Sequence, residues 1–232
     1  VDPAQLERLF KSPLMRSANA IAGLFYDGVV VTESDNDRAF YAEIYHRLSA
    51  MSADLPSVLF INAQNKQTIK DIIGPLRQFG VPAAAIPDID IVKDGGKTWN
   101  DWLSACQVPT ALHAGYQAQR NAIKACFDAS GKEMKTAGGV SILTGSDRLA
   151  ADQLFDVLAE YGVFVVRGGE LENWLSALGV PGKKTDWTVA MLERLGGDPM
   201  DTSYVRPASG DVWEFIGKVV AWIKNPSRRG TS

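Results

Sequence analysis

Cysteine and histidine are scarce in these 232 residues, with two of each. Cys106 and Cys126 show neither CxxC nor CxxH spacing, which excludes a disulfide-stapled scaffold and assigns both as reduced core thiols of a cytoplasmic protein. His46 and His113 fit a surface or a satisfied core position better than a ligand role. No apolar run approaches the roughly 20 residues of a membrane helix, and no signal-peptide pattern opens the chain, so no membrane partner is expected. Internal repeats and low-complexity segments are absent, as is any GxxxxGK[ST] nucleotide-binding loop. Excess charge of one sign is also missing. At a net charge of −3, affinity for nucleic acid cannot rest on bulk charge, and an anionic substrate needs a local basic groove or a metal bridge. The remaining composition, 46% hydrophobic and 22% charged, is that of a globular chain with one large domain, or one domain and an appendage. The first residue is Val1 rather than Met, and the chain is expected to be a fragment of something longer.

The first half alternates strand and helix patterns. Residues 28–32 (Gly-Val-Val-Val-Thr) read as a buried parallel strand, and Phe40, Tyr41, Ile44, Tyr45 and Leu48 then recur at helical spacing. Ser57 to Asn62 is a second strand. A helix with Ile69, Ile72, Ile73, Leu76 and Phe79 on one face follows, stopped by Gly80. Ala83 to Ile86 is a third strand. Alternation of this kind predicts βαβ units and a parallel sheet. Residues 94–137 read as a helical insertion containing Trp99, Trp102, Leu103 and Cys106, broken at Pro109. Gly138 and Gly139 mark the return. A helix with Ala151, Leu154, Phe155, Leu158 and Tyr161 on one face leads to a last strand, Gly162 to Val166. Val212, Phe215, Ile216, Val219 and Ile223 form an amphipathic stripe in the tail, and 227–232 are expected to fray.

Acidic residues gather where these strands end. Glu33 closes the first strand, Asp37 starts the next helix, Asp88 and Asp90 follow the third strand, and Glu170 and Glu172 follow the last. Ligands of open α/β sheets bind beyond the carboxyl ends of the strands. An extended Asp88-Ile89-Asp90 would send both carboxylates to one side. Converging carboxylates repel and raise one another's pKa unless a hard cation joins them, which points to Mg²⁺ or Mn²⁺. Two such ions about 4 Å apart suit phosphodiester cleavage. Each acid also has a structural reading: Asp35 or Asn36 as a helix cap, Glu33 as a helix-start acid, Glu170 and Glu172 as the opening of a helix.

Taken together, Val29-Val30-Val31-Thr32-Glu33 and Ile86-Pro87-Asp88-Ile89-Asp90 resemble a Toprim domain. Glu33-Ser34-Asp35-Asn36-Asp37 and the segment 161–175 resemble the OLD (overcoming lysogenization defect) nucleases. Ser34 stands where Toprim proteins commonly have Gly. The resemblance implies an α/β fold, a mostly parallel Toprim-like sheet flanked by helices with an inserted helical subdomain. It divides the chain into a first Toprim part with an N-terminal helix (1–93), the insertion (94–137), a second Toprim part (138–180) and a C-terminal helical segment (181–232). It implies a DNA endonuclease with Glu33, Asp37, Asp88, Asp90, Glu172 and Glu170 as ligands of two Mg²⁺ or Mn²⁺ ions. It also implies an ATPase domain N-terminal to this chain, and it admits a homodimer. Lys183 and Lys184 are the candidate catalytic cations.

Two rival readings use the same acids. Asp88-Ile89-Asp90-Ile91-Val92 fits the start of a haloacid-dehalogenase-type phosphatase, with Asp88 as nucleophile, Asp90 as general acid and Thr144 or Ser146 downstream. A receiver-like module would use Asp35 or Asp37 as its pocket and Asp88 as phosphoacceptor, but it has Arg167 where a lysine is needed. Trp99 and Trp102 are read as insertion core rather than base-stacking platforms, and Trp174, Trp213 and Trp222 as packing anchors.

Overall fold

Val29, Val30 and Val31 are fully buried on both faces, as a β-branched run in the middle of a parallel sheet must be. They form β1 (Gly28–Thr32), flanked by β2 (Val58–Asn62) and β3 (Ala83–Ile86) in the order β2-β1-β3, all parallel. Val30 lies opposite Phe60 on one side and Ala84 on the other. The computed structural model describes residue 7 and residues 10–231. The expected N-terminal helix falls largely outside them, and the first described helix is α1 (Pro13–Ser17).

The expected strand at 162–166 runs beside β3 without a regular ladder. It makes two isolated parallel bridges, Val163 to Ala85 and Val166 to Asp88. Pro87 accepts from Val166 N–H at 3.0 Å but has no N–H to return, so pairing stays intermittent.

Helices cover both faces. These are α2 (Asp35–Met51), α3 (Lys66–Gln78), α4 (Lys97–Ala105), α5 (Thr110–Ser130), α6 (Gly145–Glu160), α7 (Lys184–Leu195) and α8 (Asp211–Lys224). One core joins Val29 and Val31 to Ile69, Ile72 and Leu76 of α3, Trp99 and Trp102 of α4, and Phe155 of α6. The other joins Val30 to Phe40 and Ile44 of α2 and to Ile216 and Val219 of α8. Each such side chain contributes about 1.5–3 kcal/mol on burial. Trp99 and Trp102 are therefore core residues, out of reach of a stacked base. α4 and α5 share the sheet's own core instead of building a separate one.

Two buried arginines tie distant segments together. Arg47 donates to the carbonyls of Leu195, Gly196 and Val205, closing α2 onto the end of α7. Arg77, fully buried, donates to the carbonyls of Ala83, Tyr161, Gly162 and Gly230. The expectation of a frayed tail fails at this last contact. Gly230 is buried, with Cys106 O 2.7 Å from where its Cβ would lie, because the tail supplies a carbonyl that a buried guanidinium requires.

Candidate active site at the carboxyl edge of the sheet

Ser34, rather than Asp35 or Asn36, caps α2. Its Oγ accepts from Asp37 N–H, and Asp37 Oδ2 accepts from the Ser34 N–H at 2.9 Å, a reciprocal capping box. The box holds Asp37 beside the end of β1. Glu33 is fixed across the sheet, where its Oε1 accepts the Asp88 backbone N–H at 3.1 Å. Acids expected from the ends of two strands thus meet at one edge.

The backbone after β3 departs from the extended course expected of Asp88-Ile89-Asp90. Asp88 is extended, but Ile89–Lys93 turn into a 3₁₀ helix that begins beside it. The two carboxylates consequently face different lysines. Asp88 Oδ2 lies 2.5 Å from Lys135 Nζ. Asp90 Oδ2 lies 3.2 Å from the buried Lys66 Nζ, which also reaches Asp94 Oδ1 at 3.5 Å and the Asp90 carbonyl at 3.0 Å. Asp90 Oδ1 and Asp94 Oδ2 are buried without a hydrogen-bond partner.

Glu170 precedes and Glu172 lies within a short 3₁₀ turn, Leu171–Asn173, where a helix start was expected. Trp174 Nε1 holds this turn to α2 through Tyr41 Oη at 2.9 Å. Glu172 Oε1 accepts the Lys184 N–H at 2.6 Å, at the N-terminus of α7, a favourable place for an acid. Asn36 Nδ2 donates to Thr185 Oγ1 at 3.3 Å, so the start of α7 stands next to the start of α2. Lys183 and Lys184 are exposed at this rim.

The electrostatics reflect crowding. Burial, then the charge of Glu33, pushes Asp88 up to about 8 against the pull of Lys135. Burial also raises Glu33 and Asp37, with Asp90 and Asp37 adding to the first and Glu172 to the second. Glu170 is raised by burial and by Glu172. Burial opposes the charge of Lys135, but Asp88, Asp90 and Glu33 outweigh it and raise the ammonium.

The structure therefore brings Glu33, Asp37 and Asp88 into one field with Glu170 and Glu172 beside them, while Asp90, whose charge still reaches Glu33 and Lys135, is ion-paired with Lys66. Among the described residues, no three His, Cys, Asp or Glu side chains are gathered closely enough to hold an ion as they stand. The donor set still fits a hard cation in its chemistry: every acceptor is an oxygen, the carboxylates are crowded and partly buried, and one Asp90 oxygen lacks a partner.

Sequence reasoning missed Lys135 and Lys66. The available signal was the glycine pairs on either side of the site. Gly169 takes φ +121°, and a Cβ there would lie 2.0 Å from Lys135 O; Gly139 takes φ +59°, and its Cβ would lie 1.9 Å from Arg167 O. Such glycines mark a close backbone crossing, and that crossing delivers Lys135.

Residues 24–90 match the family model described as "Overcoming lysogenization defect protein-like, TOPRIM domain". That span runs through β1, α2, β2, α3 and β3 and ends on Asp90. No curated protein and no solved structure matches the chain.

Proposed function

With residues 24–90 forming a Toprim region of the OLD-like type, a nuclease-type, DNA-processing domain, we propose that the chain is a divalent-metal-dependent DNA endonuclease. The observation that supports this most is the bond from Asp88 N–H to Glu33 Oε1, which joins the acids of two strand ends within the matched segment. Glu33, Asp37, Asp88 and Asp90 would hold Mg²⁺ or Mn²⁺, with Glu172 and Glu170 completing the shell. The ions would supply Lewis-acid charge at the scissile phosphate.

The chain's own residues do the rest. The Asp88 backbone fixes the Glu33 carboxylate, and the capping box fixes Asp37. Lys183 and Lys184, exposed at the N-terminus of α7, contact the phosphates of the nucleic-acid backbone and steer the strand across the edge. Cleavage has little sequence preference, because the contacts are to backbone rather than to base edges. An ATPase domain of the same protein is the inferred partner. The chain itself needs no ATP, since every acid of the site lies within it. The haloacid-dehalogenase reading leaves Glu33 and Asp37 idle, the receiver reading lacks its lysine at Arg167, and no observation favours either.

The test is nicking of unrelated supercoiled plasmids by the purified protein with Mg²⁺, Mn²⁺ or chelator, with and without ATP. Nicking that needs the metal and ignores ATP is expected. Nicking unaffected by chelator, or none with either metal, overturns the proposal. Strict ATP dependence overturns its autonomous form.

A further inference from the structure

Lys135 reaches the acid edge from a segment outside the matched region, and its backbone is stitched in place. Its carbonyl packs against Gly169 and accepts from Asn173 Nδ2 at 3.3 Å. Met134 beside it is buried, and its carbonyl accepts the Gly139 N–H at 2.9 Å. Val140 N–H then donates to Arg167 O at 2.9 Å. The loop carrying Lys135 is thereby fastened to the turn that carries Glu170 and Glu172.

The side chain is placed differently from its backbone. The side chain is 28% exposed, and its ammonium lies 2.5 Å from Asp88 Oδ2, an oxygen that a divalent ion held by Asp88 would also need. Two cations on one carboxylate oxygen repel each other and compete for it. The flexible four-carbon stem lets the ammonium move several ångströms while the backbone stays fixed.

We propose that Lys135 is the resident counter-ion of the acid edge: it holds Asp88 until a divalent ion takes its place, and then presents its ammonium to the phosphate of the nucleic acid. This rests on the metal-dependent reading above. It gives one residue two effects of opposite sign, competition with the metal and assistance to cleavage, which a merely structural lysine does not have.

The experiment titrates Mn²⁺ into the wild-type protein and Lys135→Met by calorimetry without DNA, and measures plasmid nicking by both at saturating Mn²⁺. Lys135→Met is expected to bind Mn²⁺ about tenfold more tightly and to nick about 10²–10³-fold more slowly. Lys135→Arg, which keeps the charge, should bind Mn²⁺ like the wild type. If Lys135→Met does not fold, Asn173→Ala loosens the loop with the lysine intact and should tighten Mn²⁺ binding in the same direction by less. Equal or weaker Mn²⁺ binding by the variant overturns the counter-ion role. Unchanged nicking overturns the phosphate role. Failure of both proteins to bind Mn²⁺ overturns the metal site itself, and the inference with it.

Discussion

Glu33 and Asp88, 55 residues apart, are joined by a single hydrogen bond in which the Asp88 backbone N–H donates to Glu33 Oε1 at 3.1 Å. The bond belongs to the main chain of one acid and the side chain of the other, so it survives loss of either charge provided Glu33 keeps an acceptor. Glu33→Gln retains that acceptor and removes the charge. Nicking should fall by two or more orders of magnitude with the melting temperature unchanged or slightly raised. A fully active Glu33→Gln would reduce Glu33 to a structural link between strands.

Asp88 and Asp90 differ in what they hold. Repulsion alone would make an alanine variant of both more stable in the absence of metal, but each carboxylate has a lysine partner. Asp90→Ala leaves the buried Lys66 with Asp94 and the residue 90 carbonyl but without its nearer carboxylate, and should cost about 1–3 kcal/mol. Asp88→Ala faces a more exposed lysine and should cost less, while abolishing nicking. Chemical denaturation of the two single variants decides the order, and equal stability would contradict this division.

The raised acids set a pH dependence. Asp88 at about 8, with Glu33 and Asp37 also above their ordinary values, binds protons more tightly folded than unfolded. Stability from such a group is present at low pH and is lost as pH rises from its unfolded value toward its folded one. Lys135, raised in the fold, stays protonated throughout this window and adds no slope. The metal-free melting temperature should therefore fall from about pH 5 to about pH 8, and Mn²⁺ should restore most of the loss at the upper end. A melting temperature that climbs over this range in chelator would show that the acids are not crowded.

Lys183 and Lys184 are exposed, and the Lys184 backbone, not its side chain, binds Glu172. Alanine at either position should weaken DNA binding and reduce the salt slope by about one ion, with turnover at saturating DNA nearly unchanged. A drop in turnover at constant affinity would instead make that lysine catalytic, as the sequence pattern suggested.

The strands and their helices were legible in the sequence because the periods of their apolar residues are local properties. The β-branched run of β1, the apolar run of β2, the Ile stripe of α3 and its glycine stop recur in the structure where they were expected. The acid edge was legible for a related reason: parallel connectivity sends every strand's carboxyl end to the same side, so Glu33, Asp37 and Asp88 had to converge. The matched segment, which ends on Asp90, covers this locally readable part.

What the tertiary structure decided lies in long-range crossings. Pro87 and the 3₁₀ turn after it separated Asp90 from Asp88, since an extended course there competes with burial of Ile89, Ile91 and Val92. The tail docked because Arg77, buried by the packing of α3 on β3, needs more carbonyls than its neighbour Ala83 supplies, and distant segments provide the rest. Lys135 entered the site through the close passage of Gly139 and Gly169 past their neighbours' carbonyls. Local patterning settles which faces are buried. The partner of a charged side chain depends on which distant backbone arrives beside it, and no period in the sequence records that.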